Sequence, residues 1–170
     1  MATKHVFRYL KGTIDYGLQY ARDCNFNLVG YTDSDWDDNV PNWKSTSGCC
    51  FSLGSTVIAW RSRKQTSVVL STMEAEYIAA YAANGEVVWL CKMLSGLFDL
   101  QLEATSIYCD NQNCIKLSEN PVFHDKSKQI EIKYQYIRDL VEKGAVELHY
   151  IATDEQIADV LTKPLSRVKF

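Results

Sequence analysis

Apolar and polar positions alternate in three short runs through the first third of the chain, and past residue 70 the period lengthens to that of a helix. "FNLVGYTDSDWDD" begins with β-branched and aromatic residues and ends in acids, as a strand leaving a core does. "NVPNWKSTSG" reads as a turn, and "CCFSLGSTVIAWRSRKQ" divides at Gly54-Ser55 into the arms of a hairpin. In "LSTMEAEYIAAYAANGEVVWLCKML" and the residues just after it, Ala80, Ala83, Val87, Leu90, Leu94 and Leu97 form one apolar stripe, which predicts a long helix lying on the sheet. "ATSIYCDN" predicts a fourth strand, and "QNCIKLSEN" a short helix ended by Pro121. In "KQIEIKYQYIRDLVEKG" the spacing of Ile132, Tyr136 and Leu140 predicts a helix with Gly144 as its C-cap. "AVELHYIA" alternates as a fifth strand, with Val146, Leu148 and Tyr150 on one face. "TDEQIADVLTK" predicts a last helix, with Thr153 and Gln156 in a capping-box pattern and Pro164 as the stop. Ahead of all this, "KHVFRYLK" reads as a helix stopped by Gly12 and "YGLQY" as a short strand, and the main domain begins near Phe26. The order β-β-β-α-β-α-α-β-α predicts an α/β fold, a five-stranded mixed sheet with helices on both faces.

One position breaks the pattern. Stepping back four residues from Ala80, the apolar stripe of the long helix begins with Glu76. Glu74 lies about 200° away round the axis and has another face available. A solvated first-turn acid interacting with the helix dipole is the ordinary explanation. Other acids occupy corresponding places, however. Asp33 leaves the first strand and Asp110 the fourth, and strand exits are where open α/β sheets bind ligands. Asp159 sits among Ile157, Val160 and Leu161. Strand alternation puts Asp35 on the same face as Asp33, and spacing does not choose between them. Four converging carboxylates repel unless positive charge lies among them. The sequence places no Lys or Arg to neutralise all four, whereas Mg²⁺ is held by a few carboxylates and keeps its remaining positions for water and substrate oxygens. Two such ions clamp a phosphodiester for attack by water.

Composition narrows the partners. With 18 Lys+Arg against 21 Asp+Glu the net charge is −3 over 170 residues, so nucleic-acid binding by bulk charge is excluded and a local patch is required. "WRSRKQ" is the densest basic cluster in the middle of the chain, and Lys126, Lys128 and Lys133 form a looser one. Neither cluster carries sequence specificity, because phosphate contacts set affinity and little else. The 6 cysteines show no C-x-x-C zinc spacing, and no apolar run reaches the length of a membrane span. The expectation is a reduced, intracellular protein of the cytoplasm or nucleus, with buried free thiols and no membrane partner.

The segments "YTDSDWDD", "KSTSGCCFSLGSTVIAWRSRKQ", "LSTMEAEYIAA", "YCDNQNCIKLSENPVFHDKSK" and "DEQIADVLTKPL" resemble, in order, the ribonuclease H domain of copia-type retrotransposon polyproteins. "RYLKGTIDYGL" looks like the segment joining the reverse transcriptase to that domain. The resemblance implies residues 1–24 as a stub of that connection, residues 25–170 as a ribonuclease H-like domain, and hydrolysis of the RNA strand of RNA–DNA hybrids with two Mg²⁺, or Mn²⁺ in their place. It lays the family's metal set on Asp33, Glu76, Asp110 and Asp159. Two departures stand out. The loop "IATDE" lacks the His that many cellular ribonucleases H carry before the last acid, and Lys128-Gln129-Ile130 stands where copia-type elements commonly read Lys-His-Ile. Ser34, Ser71 and Asn111 neighbour the proposed ligands and are candidate contacts to sugar or phosphate, as are Arg61 and Lys64. The expected partners are a hybrid duplex and the reverse transcriptase of the same polyprotein, with the isolated chain a monomer. Two rivals stand beside this reading. One is a transposase set of Asp33, Asp110 and Glu147, opposed by the placing of Glu147 in a strand. The other is a co-opted, catalytically silent domain that binds nucleic acid or protein.

Overall fold

The computed structural model describes residues 2–21, 27–36, 43–119 and 128–165. The elements are α1 (Ala2–Gly12), β1 (Leu28–Asp35), β2 (Thr46–Leu53), β3 (Thr56–Lys64), α2 (Thr72–Phe98), β4 (Thr105–Cys109), α3 (Gln112–Glu119), α4 (Lys128–Glu142) and β5 (Val146–Tyr150). Two 3₁₀ turns follow, Thr153–Glu155 and Ile157–Leu161. The five strands make one sheet in the order β3-β2-β1-β4-β5. The first three form an antiparallel meander, and β4 and β5 add in parallel beside β1. The mixed sheet follows from connection length. The turn at Gly54, with φ 63°, reverses the chain in two residues, whereas a parallel partner needs a helix to carry the chain back.

Alternation along the strands separates two faces. Leu28, Phe51, Ile107 and Val146 point to the side where α2 brings Ala83, Val87 and Leu90, and together they form the main core. The first turns of α2 are lined with alanines, Ala75, Ala79, Ala80 and Ala83, each no more than 1% exposed. Small side chains let this end of the helix lie close against β1. A second cluster, Tyr77, Ala80, Cys109, Cys114 and Ile137, joins α2 to α3 and α4. At the end of α4 the N–H groups of Gly144 and Ala145 bond to the carbonyls of Val141 and Leu140 at 3.0 and 2.9 Å, the Schellman arrangement. It requires the left-handed φ of 65° that Gly144 adopts.

Several local expectations change. Residues 16–20 form no strand; they lie beside the start of β3, tied there by the Thr56 hydroxyl donating to the Gln19 carbonyl and the Tyr20 hydroxyl to the Val57 carbonyl. The stripe of α2 ends at Leu94, and Leu97 is 69% exposed because the helix has by then run past the sheet. On α4 the face turned to the core is centred on Ile137, while Ile132 is 60% exposed. Tyr150 lies on an edge strand and is half exposed. The predicted last helix is broken into the two 3₁₀ turns, because the side chain of Gln156 caps the second turn by accepting from the Ala158 N–H. The residue at the cap of the first turn is Ala152, and the Thr153 hydroxyl donates to Asp110. Five cysteines are free, four of them buried; Cys24, Phe26, Pro121 and Lys126 lie outside the described residues. Among the described residues no helix is long and apolar enough to cross a membrane.

Phe51 is among the largest fully buried side chains and bridges the sheet to α2. Phe51→Ala is expected to destabilise the fold by about 3–5 kcal/mol. Urea denaturation should show this as a lower midpoint at unchanged slope.

Candidate active site

The site forms where β1 and β4 end side by side. Their parallel register sets Thr32 opposite Cys109, so Asp33 and Asp110 leave neighbouring strands next to each other. Asp33 is 1% exposed, and its Oδ2 accepts from the Thr162 hydroxyl. Asp35 lies further out, half-buried at the strand end opposite Thr46. Of the two, Asp33 is the more deeply buried.

Glu76 heads the buried stripe as the sequence indicates, in the second turn of α2, and is 6% exposed. The Ser34 N–H donates to its Oε1 at 3.0 Å, and the Cys109 thiol points at its Oε2 at 4.0 Å. Glu74 does other work. Its N–H donates to the Ser71 hydroxyl and its Oε2 accepts from the Leu70 N–H, closing the start of the helix. Ligand atoms of Glu76, Cys109 and Asp110 lie within 4.8 Å of one another. The Thr153 hydroxyl holds Asp110 at 3.0 Å.

Asp159 arrives from the second 3₁₀ turn and is 2% exposed. That turn packs on the face of β2 at Gly48, the residue opposite Asp33. A Cβ at Gly48 would meet the Thr162 Cγ2 at 2.7 Å and the Leu161 Cβ at 2.9 Å, so only glycine lets the turn come this close. The Gln156 amide anchors the turn to β1 by donating to the Thr32 carbonyl at 3.0 Å. Lys163, one helical turn beyond Asp159, places its Nζ 2.9 Å from Asp159 Oδ1 and 3.6 Å from Asp33 Oδ2. The spacing Asp159–Lys163 is visible in the sequence as an i,i+4 pair, but the reach across to Asp33 is not.

Electrostatics follow from crowding. Burial, then the neighbouring Cys109, Asp33 and Asp110, push the Glu76 carboxyl up to about 10, against the pull of the Ser34 N–H. Burial raises Asp33 too, and Asp159 and Asp110 add to it, while Thr162 and Lys163 oppose them. Burial works against the Lys163 ammonium, but Asp159, Asp33 and Asp110 outweigh it and hold its proton above the ordinary Lys range. The Cys109 thiol, hydrogen-bonded with Cys114 and buried, is held far above its usual range and stays a neutral donor to Glu76. The four carboxyl groups are thus near enough to act on one another, and among the described residues Lys163 brings an ammonium to Asp33 and Asp159. Oxygen donors of this kind, with charge still uncompensated, fit Mg²⁺ or Mn²⁺.

The residues named as candidate substrate contacts also make structural bonds. Ser34 is buried; its N–H holds Glu76 and its hydroxyl accepts from Gln65. Gln65 also reaches the Ser47 hydroxyl and the Ala75 carbonyl, tying β1 and β2 to the start of α2. Ser71 caps α2. The Asn111 side chain caps α3 by accepting from the N–H groups of Asn113 and Cys114. Arg61 and Lys64 lie away from the carboxylates in a groove of about 270 Å³, with Arg63, Lys133, Thr66 and Tyr81 also on its walls. Arg61 pairs with Glu86 at 2.7 Å, and Lys133 lies over the Tyr81 ring. The side chain of Lys128 lies outside the described residues. Glu147 points away on edge strand β5, bonded to His149, which removes the transposase arrangement.

No protein-family model matches the chain. It is 41% identical over 169 residues to the retrovirus-related Pol polyprotein from transposon RE2 of Arabidopsis thaliana. The match takes in 99% of this chain and 12% of that polyprotein. The chain is a relative of the copia-type retrotransposon Pol polyproteins. Its fold is that of ribonuclease H. The N-terminal RNase H domain of rv2228c from Mycobacterium tuberculosis superimposes with TM-score 0.59 at 15% identity, over 81% of this chain and 91% of that one. LC11-RNase H1, solved in complex with an RNA/DNA hybrid, gives 0.58 at 16% identity, over 80% and 94%. This retrotransposon-related chain spans about one-eighth of the length of the RE2 polyprotein.

The raised Glu76 value sets a pH dependence. A carboxyl whose folded value lies above its unfolded one stabilises the fold below the unfolded value, and that contribution is lost as pH rises through the folded value. In EDTA the melting temperature is therefore expected to fall between about pH 5 and pH 9, and Glu76→Gln should flatten that fall. Thermal melts across the range check both. A steeper fall in the variant would mean that Glu76 is not the group that protonates.

Proposed function

We propose that this domain is a metal-dependent ribonuclease H that hydrolyses the RNA strand of RNA–DNA hybrids, leaving 5′-phosphate and 3′-hydroxyl ends. The observation that carries the reading is the meeting of Asp33, Glu76, Asp110 and Asp159 at the paired ends of β1 and β4. These four residues would hold two Mg²⁺ ions, or Mn²⁺ in their place, which supply an activated water and neutralise charge at the phosphodiester. The protein's part is placement. The Ser34 N–H fixes the Glu76 carboxylate, Thr162 fixes Asp33 and Thr153 fixes Asp110. Burial of Asp33 and Asp159 keeps water from screening their charge, and Glu76 would release its proton and add its charge to theirs when a cation enters.

The groove lined by Arg61, Arg63, Lys64 and Lys133 is the local basic patch that an acidic chain requires, and we assign it to phosphates of the duplex. A hybrid is recognised by its shape and by 2′-hydroxyls. A net charge of −3 makes the isolated domain's grip weak. The reverse transcriptase of the same polyprotein is proposed to supply the rest, with residues 1–24 as the stub of the connection to it. An intracellular site of action accords with the free thiols.

The decisive measurement is Mg²⁺-dependent cleavage of a hybrid labelled on its RNA strand. Asp110→Asn and Glu76→Gln are expected to lower the rate by several powers of ten, because both remove charge that positions the reacting groups. Glu74→Gln, at the helix cap, should change it by less than about twofold, a few tenths of a kcal/mol. Equal small effects at all three positions would leave a silent binding domain as the surviving reading. In the groove, Lys64→Ala should weaken hybrid binding alike for all sequences. It should also lower the slope of log affinity against log salt by about 1, as a filter-binding titration would show.

A further inference from the structure

Lys163 belongs to no part of the reading above, yet its ammonium stands inside the carboxylate cluster. It spans two elements, reaching Asp159 of the second 3₁₀ turn at 2.9 Å and Asp33 of β1 at 3.6 Å. Both carboxylates are 2% exposed or less, so these contacts differ from a solvated surface pair. The oxygen of Asp33 that faces Lys163 is also the one that accepts from Thr162. That oxygen cannot give its full capacity to an incoming cation while both donors remain.

We propose that Lys163 is a built-in counter-cation that holds the Asp33–Asp159 half of the site in the metal-free protein and is displaced when a divalent ion enters, so that metal binding there is an exchange of ammonium for metal. The proposal rests on the metal-dependent reading of the same site.

The surroundings allow the exchange. The backbone around Lys163 is fixed, since the N–H groups of Thr162 and Lys163 both bond to the Asp159 carbonyl, at 3.2 and 3.1 Å. Only the side chain has to move. Its four-carbon stem is flexible and it is 31% exposed, so the ammonium has an open path to water. The two states differ in charge as the cluster demands. One ammonium partly relieves Asp33 and Asp159 in the metal-free fold, and a divalent ion would relieve them further. The device keeps the folded domain tolerable without metal, at a cost in apparent metal affinity. If the ammonium is withdrawn in only a minor fraction of molecules, apparent affinity falls by that fraction.

The test uses the whole chain and Mn²⁺ alone as the probe, followed by isothermal titration and by the paramagnetic signal of free Mn²⁺. Lys163→Met should melt at a lower temperature in EDTA and bind Mn²⁺ roughly tenfold or more tighter, as for a competent state populated at about 10% or less in the parent. Unchanged or weaker binding in the variant, with normal binding in the parent, overturns the exchange and leaves the nuclease reading standing. Absence of Mn²⁺ binding in both overturns the two together. A second measurement needs no variant. Saturating Mg²⁺ should speed acylation of Lys163 by an amine-reactive ester several-fold in the parent chain, quantified by peptide mass spectrometry. Equal or slower labelling would show that the ammonium stays in place, and would overturn the proposal even if Lys163→Met fails to fold.

Discussion

The burial and crowding of acidic side chains gathered at the ends of two parallel strands is the constraint around which this domain is built. Hydrophobic burial would put apolar side chains where Glu76, Asp33 and Asp159 lie. Each acid there is instead held by a specific donor, from a distant part of the chain for Glu76 and Asp33 and from the next turn for Asp159. Ser34 serves Glu76, Thr162 serves Asp33, Thr153 serves Asp110 and Lys163 serves Asp159. Burial first, and then the neighbouring Cys109, Asp33 and Asp110, are the reason the Glu76 carboxyl keeps its proton in the metal-free state.

The fold brings this about through close approach. Alanines on α2 bring the helix near enough to β1 for Glu76 to reach a backbone N–H of that strand. Gly48 does the same on the opposite face, where a Cβ would push the second 3₁₀ turn away and take Asp159 with it. Gln65 fastens β1, β2 and the start of α2 to one another, so the two approaches are not independent. The basic side chains Arg61, Arg63, Lys64 and Lys133 line a groove that none of the four acids lines.

The sequence by itself determined the order and kind of most elements, because periodicity of two or 3.6 residues is a local property of the chain. It also singled out the four acids, since an acid at a strand exit or at the head of an apolar stripe contradicts its local pattern. Local pattern was less dependable at element ends. Leu97, Ile132 and Tyr150 fit their stripes and are nevertheless exposed, because burial depends on where the neighbouring element stops. The last helix broke for a related reason, Gln156 being engaged with its own turn and with Thr32, 124 residues away. Tertiary structure alone decided which donors meet which acids. Thr162 and Asp33 are 129 residues apart, and no spacing rule links them. Ser34, Ser71 and Asn111 read from sequence as candidate contacts to sugar or phosphate, and only the tertiary structure shows them bonded to Glu76 and to helix caps. Lys163 shows the limit most plainly. Its pairing with Asp159 is written in the i,i+4 spacing, but its place in the cluster exists only because β1 and the second 3₁₀ turn are pressed together at a glycine.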